Sequence, residues 1–169
     1  RCAPDEPMPS APAPSITIIS GGQTGVDRAA LDAAIALGVP HGGWCPAGRL
    51  AEDGTLPARY LLTETRSRDY SVRTERNVRD SDATLILTWG PPSGGTAYTI
   101  ECAIRMNRPY LVVDMEGESA DPARAAHWMR DRDIGALNVA GPRESSRPGV
   151  VHSTAMRFLI ALLEALLHQ

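Results

Sequence analysis

The chain has 169 residues and a formal net charge of -3, and all 17 of its basic residues are arginine. Without a lysine it can form no side-chain Schiff base and no Walker A phosphate loop, and the mild negative charge speaks against a nucleic-acid footprint. A hydrophobic fraction of 43% is ordinary for a globular protein, and the length suits one domain with a sizeable core.

Residues 1–14 are rich in Pro, Ala and acidic side chains and lack the apolar run of a signal peptide. They read as a flexible tail, which leaves 15–169 as a single domain. No stretch is apolar for long enough to span a membrane. Cys2, Cys45 and Cys102 are odd in number and far apart. That suits reduced thiols in a cytoplasmic protein and not a disulfide framework. His41 and Cys45 lack the paired spacing of a metal site, so none is expected.

Residues 16–19 (Ile-Thr-Ile-Ile) predict a short buried strand. It runs into Gly21, Gly22, Gln23, Thr24 and Gly25, and then into a helix over 29–37. There Ala30, Leu31, Ala34 and Ile35 recur at helical spacing, and Gly38 supplies the stop. Thr24 and Asp27 stand in the relation of a capping box, and Arg28 follows them. A strand, glycines and a helix start in succession present free backbone N–H groups at the positive end of a helix dipole, which is an anion site. The pattern is Gly-Gly-x-x-Gly and differs from the dinucleotide fingerprint G-x-G-x-x-G.

Residues 41–45 read as a second strand, 50–58 as a long loop bearing Glu52, Asp53 and Gly54, and 61–64 as an edge strand. Asp69 predicts a cap on a helix over 70–79. In that helix Arg73, Arg76, Asn77 and Asp80 occupy the i, i+3, i+4, i+7 stripe that a packed helix makes apolar. The face is either solvated and laced with ion pairs, or turned to a pocket in which the arginines grip an anion.

Residues 83–88 are the clearest central strand. Ser93, Gly94, Gly95 and Thr96 lead on into a helix that ends near Met106, so the opening device recurs. Glu101 in that helix is either a carboxylate near a bound anion or an exposed helix glutamate. A strand at 110–113, a helix from Asp121-Pro122 to about 131 and a strand at 136–140 follow. Residues 141–146, with Arg143 and Ser145, form a third polar loop before a helix over 150–168. Met156, Phe158, Leu159, Ile160, Leu162, Leu163, Leu166 and Leu167 exceed what one sheet face covers. That helix is either deeply buried or packed on another subunit, and a homodimer or homotetramer is the expectation favoured.

The alternation of strands and helices predicts an α/β fold with a doubly wound, mainly parallel sheet. Loops after the strands then gather along one edge. The three polar loops would face one crevice, with Arg28, Arg73, Arg76 and Arg143 to neutralise a small phosphorylated ligand.

The runs beginning at Ser20, His41, Arg73, Gly94 and Asn138 together resemble the family of putative molybdenum carriers. That family is similar to the molybdenum cofactor carrier of green algae and belongs to the Rossmann-like group that includes the LOG phosphoribohydrolases. The resemblance spans residue 16 to the C-terminus. It implies a Rossmann-like three-layer fold, oligomers that are often tetramers, and carriage of a phosphorylated pterin (molybdenum cofactor), molybdate or a nucleotide-like anion at the glycine loops. Through the LOG enzymes it implies an alternative, N-glycosidic hydrolysis of nucleoside monophosphates with Glu101 and Arg76 as catalytic candidates. A nucleotide-sensing module is a third. The LOG signature places Glu three residues after Thr, whereas Glu101 follows Thr96 by five, a displacement of about half a helical turn. Whether the protein turns a substrate over is left open by these residues.

Overall fold

The structure, a computed structural model, describes residues 15–168; the tail expected at 1–14 lies outside them. Along the chain run β1 (Thr17–Ile19), α1 (Val26–Ala36), β2 (His41–Gly42), β3 (Trp44–Cys45), β4 (Leu50–Ala51), β5 (Gly54–Thr55) and β6 (Thr63–Glu64). Next come α2 (Tyr70–Arg79), β7 (Ala83–Thr88), α3 (Gly94–Arg105), β8 (Tyr110–Asp114), α4 (Pro122–Asp131), β9 (Ala136–Ala140) and α5 (Val151–Leu167).

A five-stranded sheet in the order β2-β1-β9-β7-β8 forms the centre, and every pairing in it is parallel. A parallel sheet is covered on both faces, so its inner strands need apolar residues on both sides. β7, Ala-Thr-Leu-Ile-Leu-Thr, is buried at all six positions. Its buried Thr84 is matched across the sheet by Asn138, whose amide donates to the Thr84 hydroxyl at 3.3 Å.

The order also fixes which face each helix takes. Right-handed crossovers put the helices of leftward and rightward connections on opposite faces. α1 and α4 belong to connections running one way, α2 and α3 to those running the other. Accordingly α5 packs between α1 and α4, while α2 packs on α3. The result is a three-layer Rossmann-like fold.

α5 buries Val151, Ala155, Phe158, Leu159, Leu162, Leu163 and Leu166 in the main core. Much of the apolar surface that the sequence assigns to a subunit contact is therefore covered by α1 and α4 within one chain. Asp69 and Asp121 cap α2 and α4 as expected, each carboxylate accepting from a backbone N–H two residues on at 2.9 Å.

Two local expectations change. The strand expected at 41–45 breaks at Gly43, whose φ of 126° only glycine adopts readily. A Cβ there would stand 2.3 Å from the Ser20 carbonyl oxygen. β2 pairs with β1 while β3 leaves to pair with β6. The capping box expected at the start of α1 also does not form. Gly25 is the N-cap and no side chain caps it. The Thr24 hydroxyl is taken by Glu52 and by the Glu144 N–H, and the Asp27 carboxylate by Arg73.

The departing β3 is held by α2. Asn77, 2% exposed, accepts from the Trp44 N–H at 2.7 Å and donates to the Trp44 carbonyl at 3.0 Å. Its amide thus supplies the partner that a neighbouring strand would have supplied. Asn77→Ala leaves both backbone groups unsatisfied, at about 1–3 kcal/mol each, and is expected to destabilise the domain by roughly 2–4 kcal/mol in urea or guanidinium unfolding. A loss below about 0.5 kcal/mol would mean that water replaces the amide at no cost.

Candidate functional site

In an open parallel sheet the ligand crevice lies at the strands' carboxyl ends, where the direction of winding reverses. Here the reversal lies between β9 and β7. A cavity of about 700 Å³ opens there. Its walls come from the loop after β7 (Thr88, Trp89 and Pro91 to Thr96), the loop after β9 (Ala140 to Arg143, Ser145 to Arg147), the first turns of α2 (Tyr70, Arg73) and Gln23 with Asp27 beyond β1.

The glycines of these loops serve different ends. A Cβ on Gly21 would fall 1.9 Å from Nη1 of Arg73, so this glycine makes room for the guanidinium. A Cβ on Gly25 would fall 2.4 Å from the Pro142 carbonyl oxygen, and one on Gly141 2.5 Å from Val26. These two glycines let the loops after β1 and β9 press together. The Val26 N–H, first in α1, donates to the Pro142 carbonyl at 3.3 Å. The positive end of α1, where the sequence places an anion, is thus plugged by protein. Gly94 and Gly95 have nothing within 4 Å of a Cβ position. Their N–H groups have no hydrogen-bond partner among the described residues, and Ser93 does not cap α3 with its side chain. The open helix N-terminus is that of α3.

Three arginines line the cavity. Arg73, whose side chain is 13% exposed, donates from Nη1 to Asp27 Oδ2 at 3.1 Å. Arg143 is exposed, has no ion-pair partner among the described residues, and lies with its guanidinium carbon 5.1 Å from the Tyr70 ring centre; that of Arg73 lies 5.7 Å from the same ring. Arg147 pairs with Glu116 at 2.6 Å. Asp27 is 3% exposed. Burial pushes its carboxyl above the ordinary range, with Arg73 pulling the other way. Two buried donors on residues of the same lining, Nε2 of Gln23 and Nε of Arg73, have no partner among the described residues.

Of the residues proposed from sequence, the cavity brings together Gln23, Asp27, Arg73, Ser93, Gly94, Gly95, Thr96, Arg143 and Ser145. Others stand elsewhere. Arg28 is held by Asp53, at 2.8 and 3.0 Å, and by the Gly22 carbonyl. With Thr24 and Gly25 it faces a second cleft behind the glycine loop. Gly22 packs against Leu56 and Leu62. Arg76 stacks over Trp44 at 4.6 Å, and Trp44 Nε1 donates to Asp80 at 2.8 Å. The expected single polar face of α2 is therefore divided. Arg76, Asn77 and Asp80 secure Trp44, and Arg73, one turn earlier, reaches the carboxyl ends of the strands. Glu101 is exposed on α3 and does not line the cavity.

Sequence reading passes over Tyr70, Trp89 and Arg147. Trp89 could have been noticed as the residue that leaves the central strand just before a glycine turn. Arg147 carries no comparable signal.

Glu52, on the turn between β4 and β5, ties the loops together. Its carboxylate accepts from the Thr24 hydroxyl, from the Ser145 N–H at 3.1 Å and from the Ser145 hydroxyl at 2.6 Å. Its own N–H donates to Gln23 Oε1 at 2.8 Å. Desolvation pulls this carboxyl upward, but the hydrogen bonds from Ser145 and Thr24 outweigh it and hold the group below its ordinary value.

A family model described as the circularly permutated YpsA SLOG family matches residues 18–163. The chain belongs to that family. No protein with a curated description matches it. Among solved structures it is similar to the putative molybdenum carrier protein from Syntrophus aciditrophicus, whose crystal structure is at 1.45 Å resolution. The two are 46% identical over 89% of this chain and 96% of that one, with a TM-score of 0.83. A permutation is legible in the sheet. Numbered by chain position the five strands run 2-1-5-3-4. Started from β9 instead, the same sheet reads 3-2-1-4-5, the order of a Rossmann half-sheet and its continuation. In this SLOG-family domain the loop after β9 thus takes the position of a Rossmann first turn, which explains why it sits at the centre of the cavity wall.

The depressed Glu52 carboxyl contributes stability above the unfolded-state value near 4.5 and loses it as the pH falls through the lower folded value. Glu52→Gln is expected to be less stable than the parent by a constant amount at neutral pH, with the gap closing below about pH 4.5; thermal melts from pH 3 to 7 check this. A second pair of variants tests the division of glycines. Gly141→Ala is expected to destabilise by roughly 1–3 kcal/mol through overpacking, while Gly95→Ala leaves unfolding unchanged or slightly strengthened by helix propensity.

Proposed function

We propose that the protein binds a small phosphorylated heterocycle, a nucleotide or a pterin phosphate, in the cavity between β9 and β7. The observation that carries this reading is the uncapped N-terminus of α3, two glycines wide, opening on a cavity lined by three arginines. Free N–H groups at a helix start attract an oxyanion, and arginine adds charge-assisted bonds in a planar fork. Tyr70 and Trp89 in the walls offer ring surfaces for a flat heterocycle. The name of the similar Syntrophus protein supports molybdenum cofactor, a phosphorylated pterin, or molybdate, a tetrahedral oxyanion, as the bound group.

Hydrolysis of a nucleoside monophosphate has less behind it, because Glu101 is outside the cavity and Arg76 lies on Trp44. A homodimer or homotetramer belongs to the same proposal. The exposed large apolar groups among the described residues are Ile35, Leu61, Ile104, Tyr110 and Val150, and sedimentation velocity at micromolar concentration checks the assembly.

Arg143 is exposed and has no ion-pair partner among the described residues, so Arg143→Ala is expected to leave unliganded stability within about 0.5 kcal/mol. Binding should weaken ten- to a hundredfold, the equivalent of about 1.5–3 kcal/mol for a lost charge-assisted bond. Ligand-dependent thermal shift with guanosine and adenosine monophosphates, molybdate and phosphate measures both. Equal shifts in parent and variant, for a compound that stabilises the parent, would place the anion elsewhere.

A further inference from the structure

We infer that Asp27 determines which heterocycle enters the cavity, by accepting hydrogen bonds from the amino–oxo edge of a 2-amino-4-oxopyrimidine ring, the edge that guanine and pterin share. The inference rests on the cavity being the site of a phosphorylated heterocycle.

Among the described residues that line the cavity, Asp27 is the one carboxylate, set among three arginines. A pocket for phosphate alone gains nothing from it, since a carboxylate repels the anion that the arginines attract. Nor is its pair with Arg73 well explained as a tie between α1 and α2. Buried ion pairs seldom outperform apolar packing, because desolvation offsets their attraction. This pair also leaves bonding capacity unused. Among the described residues Nε of Arg73 has no acceptor, and Nε2 of Gln23, which lines the same cavity, has none either. Gln23 is 4% exposed. Its Oε1 is already committed to the N–H groups of Thr24 and Glu52, at 3.0 and 2.8 Å, which fixes the amide with its NH2 end unpartnered.

The lining shared by Asp27, Gln23 and Arg73 therefore combines a carboxylate acceptor with surplus donors. The ligand edge that complements it has N–H donors beside a carbonyl oxygen. In a 2-amino-4-oxopyrimidine the ring N–H and the amino group face the carboxylate, and the adjacent carbonyl faces the Gln23 amide and the guanidinium. Adenine lacks the carbonyl and the ring N–H, and hypoxanthine lacks the amino group. A site built around buried polar groups rejects the analogue that leaves them unpaired more strongly than an apolar pocket rejects a missing methylene.

The test is isothermal titration calorimetry of the whole chain with guanosine, inosine and adenosine 5′-monophosphates, inorganic phosphate and 6-hydroxymethylpterin. The parent is expected to bind the guanosine nucleotide about tenfold or more tighter than the inosine and adenosine ones, a difference of about one hydrogen bond to a charged group. Asp27→Asn turns an acceptor into a donor at nearly constant shape. It should bring the guanosine-to-inosine ratio to within about threefold of unity while phosphate affinity is unchanged or higher, the repelling charge being gone. Binding of the pterin, lost in the same variant, would assign the edge to either ring; failure of the pterin alone restricts it to guanine.

A parent that binds all three nucleotides equally, with that binding lost in Arg143→Ala, overturns the role of Asp27 and leaves the cavity reading intact. A variant that folds and keeps the parent's ratio overturns it likewise. A parent that binds neither nucleotide nor pterin overturns both. Should Asp27→Asn not fold, the comparison of guanosine with inosine nucleotide in the parent decides.

Discussion

The site depends on the last strand of the sheet, β9, lying between β1 and β7. That insertion makes the loop after β9 run directly beside the start of α1. The two can approach only because Gly25 and Gly141 have no side chains, and the contact is closed by the Pro142 carbonyl on the Val26 N–H. One consequence is electrostatic. The dipole of α1 spends its positive end on a backbone carbonyl, while α3, which follows the neighbouring strand β7, keeps its end open. Which strand–glycine–helix unit keeps free N–H groups is therefore set by what the sheet order places in front of it, and two such units in one chain have different fates.

This is why the fold was readable from the chain and the site only partly. The caps at Asp69 and Asp121, the buried run of β7 and the limits of β9 are local signals, and each appears where its residues predict. The convergence of the three loops also follows from alternation alone. What local pattern could not reveal is the partner of each polar side chain. Arg76 and Asn77 meet Trp44, more than thirty positions away, because β3 leaves the sheet at Gly43 and needs hydrogen bonds from α2. Arg28 meets Asp53 through a hairpin that reads in sequence as a long loop over 50–58. A glycine is equally ambiguous. Gly21 looks like a phosphate contact until Arg73 is found lying against it.

The charges around the cavity have a common logic. Arg143 is exposed, has no ion-pair partner among the described residues and lines the cavity onto which α3 opens, so under the proposed reading it suits first capture of an oxyanion. Arg73 is fixed by Asp27 and by the surface of Gly21, which suits orientation more than capture. Both guanidinium groups lie near the ring of Tyr70, Arg73 from α2 and Arg143 from the loop after β9. Arginine is the residue that can serve in this way, since its planar group stacks and donates at once. A chain in which every basic side chain is arginine keeps that option at each position.

Glu52 connects this chemistry to the rest of the fold. Its carboxylate holds the Ser145 hydroxyl and N–H on one side and the Thr24 hydroxyl on the other, and its backbone orients the Gln23 amide. Ser145 lines both the central cavity and the cleft behind the glycine loop, so the Glu52–Ser145 contact forms part of the wall between them. A residue on the exposed β4–β5 hairpin therefore fixes the loop that carries Arg143 and the Gln23 amide, which lines the cavity with Asp27. Hydrogen bonds to a charged acceptor are worth more than neutral ones, and three of them converge on one carboxylate here. The hairpin is best understood as a brace. It keeps two loops from different strands in one geometry through polar contacts alone.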